Sequence, residues 1–175
     1  TLDKMPDRFF EHPEMVLAAM GFLLSDQARY DEALEYAQEF ADHGRRTARA
    51  DIEALGHQQR AWLLALAGRA DEAEAALTAP RSLPQTWVAA FGEAARARIE
   101  HLRGRPAAAL PHAERALAML DGAPIAMPTM IAGGILDAIA ATRAARAREV
   151  LDGTLAGLDA ALPGRSGRFY RARLL

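Results

Sequence analysis

The sequence predicts an all-α chain, an array of antiparallel helix pairs, and three observations carry that prediction. Alanine, the strongest helix former, supplies 41 of the 175 residues and leucine a further 22. Valine, isoleucine and threonine together number only 16, too few to furnish a large β-sheet. Glycine and proline recur at intervals that cut the chain into eight helical runs, in four pairs joined by short turns.

The runs follow in order. Pro13 suits the first position of a helix, and apolar residues then recur at Met15, Leu17, Ala18, Met20, Gly21 and Leu24, a helical rather than an alternating period. A break at Asp26–Arg29 precedes a second run from Tyr30 to about His43-Gly44, where Gly44 is placed to take a left-handed C-cap. Gly44 to Arg49 is polar and basic and reads as an irregular loop. The third helix spans about Ala50 to Ala67 and stops at Gly68; the fourth spans Asp71 to about Thr78 and is closed by Pro80. Ser82 and Gln85 have capping-box spacing for a fifth helix that reaches Arg103 and stops at Gly104. Arg105-Pro106 opens the sixth, which Asp121-Gly122 ends. Pro128 opens the seventh, and the eighth ends by Leu162-Pro163-Gly164. The pairs therefore span about 13–44, 48–80, 82–122 and 128–162, one repeat domain over 1–164 with a basic and aromatic tail at 165–175.

The turns repeat. "LALAGRADEAEAAL" around Gly68 parallels "EHLRGRPAAALPHA" around Gly104: each Gly is followed by Arg and, five residues on, by Ala. "LSDQARYDEALEYA" around Ala28 and "AIAATRAARAREVL" around Thr142 fit the same frame, so the anchors stand at 28, 68, 104 and 142, spaced 40, 36 and 38.

This pattern resembles the tetratricopeptide (TPR) repeat, in a divergent bacterial form, over about residues 13 to 160. The resemblance implies a right-handed superhelix of helix pairs, an α-solenoid, with small residues where paired helices cross. The family's position 8 falls on Gly21, Ala61, Ala97 and Ile135, and its position 20 on Ala33, Ala73, Ala109 and Ala147. Small side chains at both places let helices cross at the close end of the usual 8–10 Å. Two departures stand out: Glu100 holds a normally apolar position, and Ile135 is large where a small residue is expected. In the family, the first helix of each pair lines a concave groove. By that frame the groove here is carried by Met15, Phe22, Gln58, Trp62, Phe91, Arg98, His101 and Leu136, a mixture of aromatic and arginine anchors with polar neighbours.

Sequence chemistry argues against an enzyme. There is no cysteine, hence no thiolate nucleophile or ligand. Of the three serines, Ser166 lies in Gly164-Arg-Ser-Gly167, which is not a nucleophile elbow, and Gly133-Gly134 is followed by no Gly-Lys-Ser/Thr. The five histidines have no helical metal spacing, and the acidic pairs Asp31-Glu32 and Asp71-Glu72 sit at helix starts, where they favour the dipole. No metal or cofactor is expected. A net charge of −2 argues against nucleic acid as a partner of this domain. The longest apolar stretch, Ala123 to Leu136, is broken by Pro and Gly and falls short of a membrane span. The N-terminus lacks the basic region of a signal peptide, which points to the cytoplasm, and the missing initiator methionine hints at a longer parent.

The expected function is therefore a non-enzymatic interaction module, its partner a protein or peptide or a second copy of the array. The alternative is a ligand- or peptide-sensing domain of a larger bacterial transcriptional regulator, an analogy of fold alone. One subtype is excluded. Chaperone-binding TPR domains hold a terminal carboxylate with Lys and Asn, and here asparagine is absent and Lys4 is the only lysine. The tail carries Arg165, Arg168, Arg171 and Arg173; it either contacts phosphates or caps the last face of the array with Phe169, Tyr170, Leu174 and Leu175.

Overall fold

The computed structural model describes residues 12–77, 89–120 and 126–161. The described residues form eight α-helices and no strand: α1 Pro13–Asp26, α2 Tyr30–Arg46, α3 Ala50–Leu66, α4 Ala70–Leu77, α5 Ala89–Leu102, α6 Pro106–Ala118, α7 Ala126–Ala140 and α8 Ala144–Ala161. The Ser82/Gln85 capping box, the Asp121-Gly122 stop, the Leu162–Gly164 terminator and the 165–175 tail lie outside the described residues. Helix α7 begins two residues before Pro128, early enough that the missing amide belongs to the first turn, where it costs no internal bond.

The chain divides into two compact units, 1–83 and 84–175. In the first, α1 packs on α2, α2 on α3, α3 on α4, and α1 also touches α3. The second repeats this order: α5 on α6, α6 on α7, α7 on α8, with α5 touching α7.

Four turns share one mechanism. Ala28, Ala48, Gly68 and Gly104 all take left-handed φ, at 57°, 55°, 79° and 69°. Each is followed by an arginine whose amide reaches back across the helix end: Arg29 to Leu24 O (3.0 Å), Arg49 to Gly44 O (2.8 Å), Arg69 to Leu64 O (2.9 Å) and Arg105 to Glu100 O (2.9 Å). With the inner bonds from Ala28 to Ser25, Ala48 to Arg45, Gly68 to Ala65 and Gly104 to His101, these are Schellman closures. Arg29, Arg49 and Arg105 then serve at once as N-caps of α2, α3 and α6, with no side-chain cap bond. Acidic first turns compensate in α2 and α3. Arg29 also grips Glu32, and Arg69 grips Glu72, with Nε–O distances of 2.7 Å in both cases.

Gly44 corrects the reading of the second turn. It is no C-cap: α2 runs on to Arg46, only residues 47–49 form the turn, and Ala48 is the left-handed residue. Gly44 is buried instead where α2 meets α3, and a Cβ built on it would lie 2.2 Å from Glu53 N. Gly56 makes the reciprocal approach to Ala41, at 2.5 Å from the backbone nitrogen.

The residues that the sequence places at helix crossings are buried. Ala33, Ala61, Ala73, Ala97, Ala109 and Ile135 are fully buried, Ala147 nearly so, and Gly21 is buried too. A Cβ on Gly21 would stand 2.8 Å from the Gln59 amide nitrogen of α3 and at ordinary contact, 3.5 Å, from Ala33 O, so this glycine makes room for the Gln59 side chain. Glu100, the charged intruder at an apolar position, is tied to the Arg105 guanidinium through both carboxylate oxygens, at 2.7 and 2.8 Å.

Candidate interaction surface

The first unit carries four of the eight residues expected to line a groove. Met15 on α1 is 49% exposed, and Phe22, seven residues on and so on the same face, is half-buried. Gln58 is half-buried, and its Oε1 is buried without a hydrogen-bond partner. Trp62 departs from the expectation: at 1% exposure it is a core side chain. The reason is the position of α3, which packs on α1, α2 and α4. Gln59 and every residue from Ala61 to Ala65 are buried, so a single lining face does not exist there. Gln59, itself fully buried, donates its Nε2 to Ala18 O of α1 at 2.7 Å.

The second unit carries the other four. Phe91 is 0% exposed and belongs to the core, again contrary to the groove frame. Its helix, α5, buries Ala90, Phe91, Gly92, Ala94, Ala95, Ala97 and Ile99, more than one stripe, because both α6 and α7 pack on it. Arg98 is 21% exposed; its guanidinium donates to Gly134 O of α7 at 3.1 Å and lies 3.9 Å from the Asp137 carboxylate. It thus ties two helices. His101 and Leu136 are half-buried.

Of the three exposed large apolar side chains among the described residues, Leu102 (40%) stands at the end of α5 and the other two share α1. On α1 the exposed large apolar side chains Met15 (49%) and Leu23 (50%) are joined by exposed Ala19 and half-buried Phe22. Positions 15, 19, 22 and 23 follow the i, i+4, i+7, i+8 rule of a single helical stripe. The only charged residues in α1 are Glu14 and Asp26, at its two ends. Glu14 is engaged, 3.4 Å from His12 and 3.8 Å from His43. The stripe between them carries no charge.

Sequence reasoning missed a polar cluster between α5 and α6. Glu93 accepts from the Arg115 Nε and meets His112 Nδ1, both at 2.8 Å, while its other oxygen is 2.9 Å from Arg96. Burial opposes ionisation of Glu93, but the hydrogen bonds from His112 and Arg115 outweigh it and hold the carboxyl below its ordinary range. The one legible signal was the i, i+3 placement of His112 and Arg115 on α6; nothing local connects them to Glu93, nineteen or more residues away. Its side chains hold one another, and no hydroxyl or thiol nucleophile is among them. Among the described residues no group of His, Asp and Glu is placed to hold a metal ion, and no helix is long and apolar enough to cross a membrane. No protein-family model matches the chain, nor does any curated protein or solved structure.

Proposed function

We propose that the protein is a divergent TPR-like, non-enzymatic interaction module that takes a protein or peptide partner on the outer stripe of α1. The observation that carries this reading is the exposure of Met15 and Leu23 beside Phe22 on a helix without charge along that face. Leaving large apolar side chains half in water forgoes about half of the burial free energy of ~1.5–3 kcal/mol each, about 0.7–1.5 kcal/mol, which a partner recovers on docking. The repeated helix pairs, with the same packing order in both units, fit a scaffold whose task is to present surfaces.

The test is comparative capture. Partners retained by the immobilised wild-type chain are quantified by mass spectrometry against Met15→Ser and Leu23→Ser, with circular dichroism confirming the fold. Both positions are exposed, so stability should change by no more than about 0.5 kcal/mol. Loss of the same partners in both variants is the expected result. Equal retention by wild type and both variants refutes α1 as the docking face.

A further inference from the structure

The outer stripe of α1 has a counterpart inside the same unit. Counted from the turn anchors at 28 and 68, Ala19 and Leu23 stand where α3 has Gln59 and Leu63. In α3 that face is sealed by a helix pair: Leu63 packs with Leu24, Ala33 and Ala37, and Gln59 donates to Ala18 O. Gln59 and Leu63 are fully buried, whereas Ala19 and Leu23 are exposed. The make-up of α1 is that of a covered helix, because Met15 to Ser25 carry no charge on any side. Yet no residue of α1 before Gly21 is fully buried. The stripe is also symmetric about Ala19. Met15 and Leu23 lie four residues to either side of it, and the polar ends His12 and Asp26 lie seven to either side.

Resting on the reading of α1 as the docking face, we propose that its partner is a second copy of this chain, joined through antiparallel α1 helices about a two-fold axis beside Ala19. An isologous contact needs a surface that complements itself. This stripe does: Met15 of each copy lies against the partner's Leu23, and Ala19 meets its own counterpart on the axis. Two small side chains there let the helices approach at the close end of the usual 8–10 Å. Charge selects the direction. Antiparallel pairing sets His12 of each copy against the partner's Asp26, whereas a parallel pair would set Asp26 beside Asp26. Half-buried Phe22 flanks the line and widens the apolar contact. One helix on another buries less than the about 1,200–2,000 Å² of stable complexes, so the dimer is reversible, with a Kd of about 10–100 µM.

Sedimentation equilibrium of the full chain between about 5 and 500 µM tests this, and a reversible monomer–dimer equilibrium is expected. Ala19→Glu and Ala19→Arg should each raise the dissociation constant roughly tenfold or more, because each sets two like charges on the axis. Ala19 is exposed, so both variants keep the fold, which circular dichroism checks. Mixed in equal amounts, the two variants should dimerise again, since opposite charges then meet on the axis. A chain that is monomeric throughout the range overturns the proposal. In that case, loss of captured partners by Met15→Ser and Leu23→Ser keeps α1 as the docking face for a different protein, so the two readings fail separately. A dimer that both Ala19 variants leave intact also overturns the proposal, because the copies then meet elsewhere. So does a mixture of the two variants that stays monomeric, which removes the axis from Ala19.

Discussion

Replacing Gly44 by alanine tests the close approach of α2 and α3. The added Cβ would lie 2.2 Å from Glu53 N, 2.7 Å from Glu53 Cα and 2.8 Å from Ile52 C, where ordinary contact begins at 3.4 Å. All three atoms are backbone, so no side chain can rotate away, and the helices must part locally by about 1.2 Å. A radial gap of 0.5–1 Å already forfeits a quarter to a half of the dispersion attraction across an interface. Overpacking of this kind costs about 1–3 kcal/mol, and the absence of a yielding side chain puts Gly44→Ala at the upper end. Alanine's helix propensity offsets about 1 kcal/mol of that. The expected net loss is about 2 kcal/mol, a shift of the urea midpoint by about 1 M for a slope near 2 kcal/mol/M. Gly153 in α8 is the matched control, because a Cβ there meets nothing within 4 Å. Gly153→Ala should therefore stabilise by about 0.8–1 kcal/mol, the propensity difference alone. Urea titrations followed at 222 nm read both. If Gly44→Ala is neutral or stabilising while Gly153→Ala behaves as expected, the helices do not approach as described.

Three further expectations concern stability. Ala28 and Ala48 hold left-handed φ where Gly68 and Gly104 do so freely, so Ala28→Gly and Ala48→Gly should each raise stability by about 0.5–1 kcal/mol and Gly68→Ala should lower it by about 1 kcal/mol; thermal melts that rank the variants otherwise contradict the turn assignment. Trp62→Ala should cost about 3–5 kcal/mol and flatten the near-ultraviolet circular dichroism, because the side chain is interior; a variant with wild-type stability would return Trp62 to the surface. The third is a pH effect. The fold holds Glu93 ionised below its ordinary 4.5, so its contribution is complete above that value and fades as pH falls through it. Burial likewise lowers His57, against the pull of Glu53, so protonation of the unfolded chain weakens the fold as pH drops below 6.5. Wild type should accordingly lose its margin over Glu93→Gln between about pH 5 and 3, and lose ground to His57→Gln between about pH 7 and 5; denaturation curves with parallel pH dependence in variant and wild type would refute these roles.

Helix type and the turns at 28, 68 and 104 were legible in the sequence, and the physical reason is that each depends on neighbours within about five residues; the turn at 48 was misplaced onto Gly44, and Thr142 does not take the left-handed conformation of the other anchors. Alanine content, a left-handed residue followed by arginine, and acidic first turns act through bonds such as Arg69 N to Leu64 O, which a short window contains. The alanines at 33, 73, 109 and 147 were legible too, because the repeat shows the same place four times. Which face of a helix meets water was not. Trp62 and Phe91 carry the spacing of a lining stripe, yet α3 and α5 are each covered by more than one neighbouring helix, and only the packing order reveals it. Gly44 read as a terminator because glycine usually stops helices; that it instead admits the backbone of Glu53 depends on a helix that begins six residues later. The Glu93–His112–Arg115 tie and the Gln59 bond to Ala18 O join residues 19 to 41 positions apart, contacts for which no local pattern exists. Sequence alone determined the helical elements and the buried alanines at 33, 73, 109 and 147, and tertiary packing decided which side chains remain outside, because exposure is set by what lies across from a helix rather than along it.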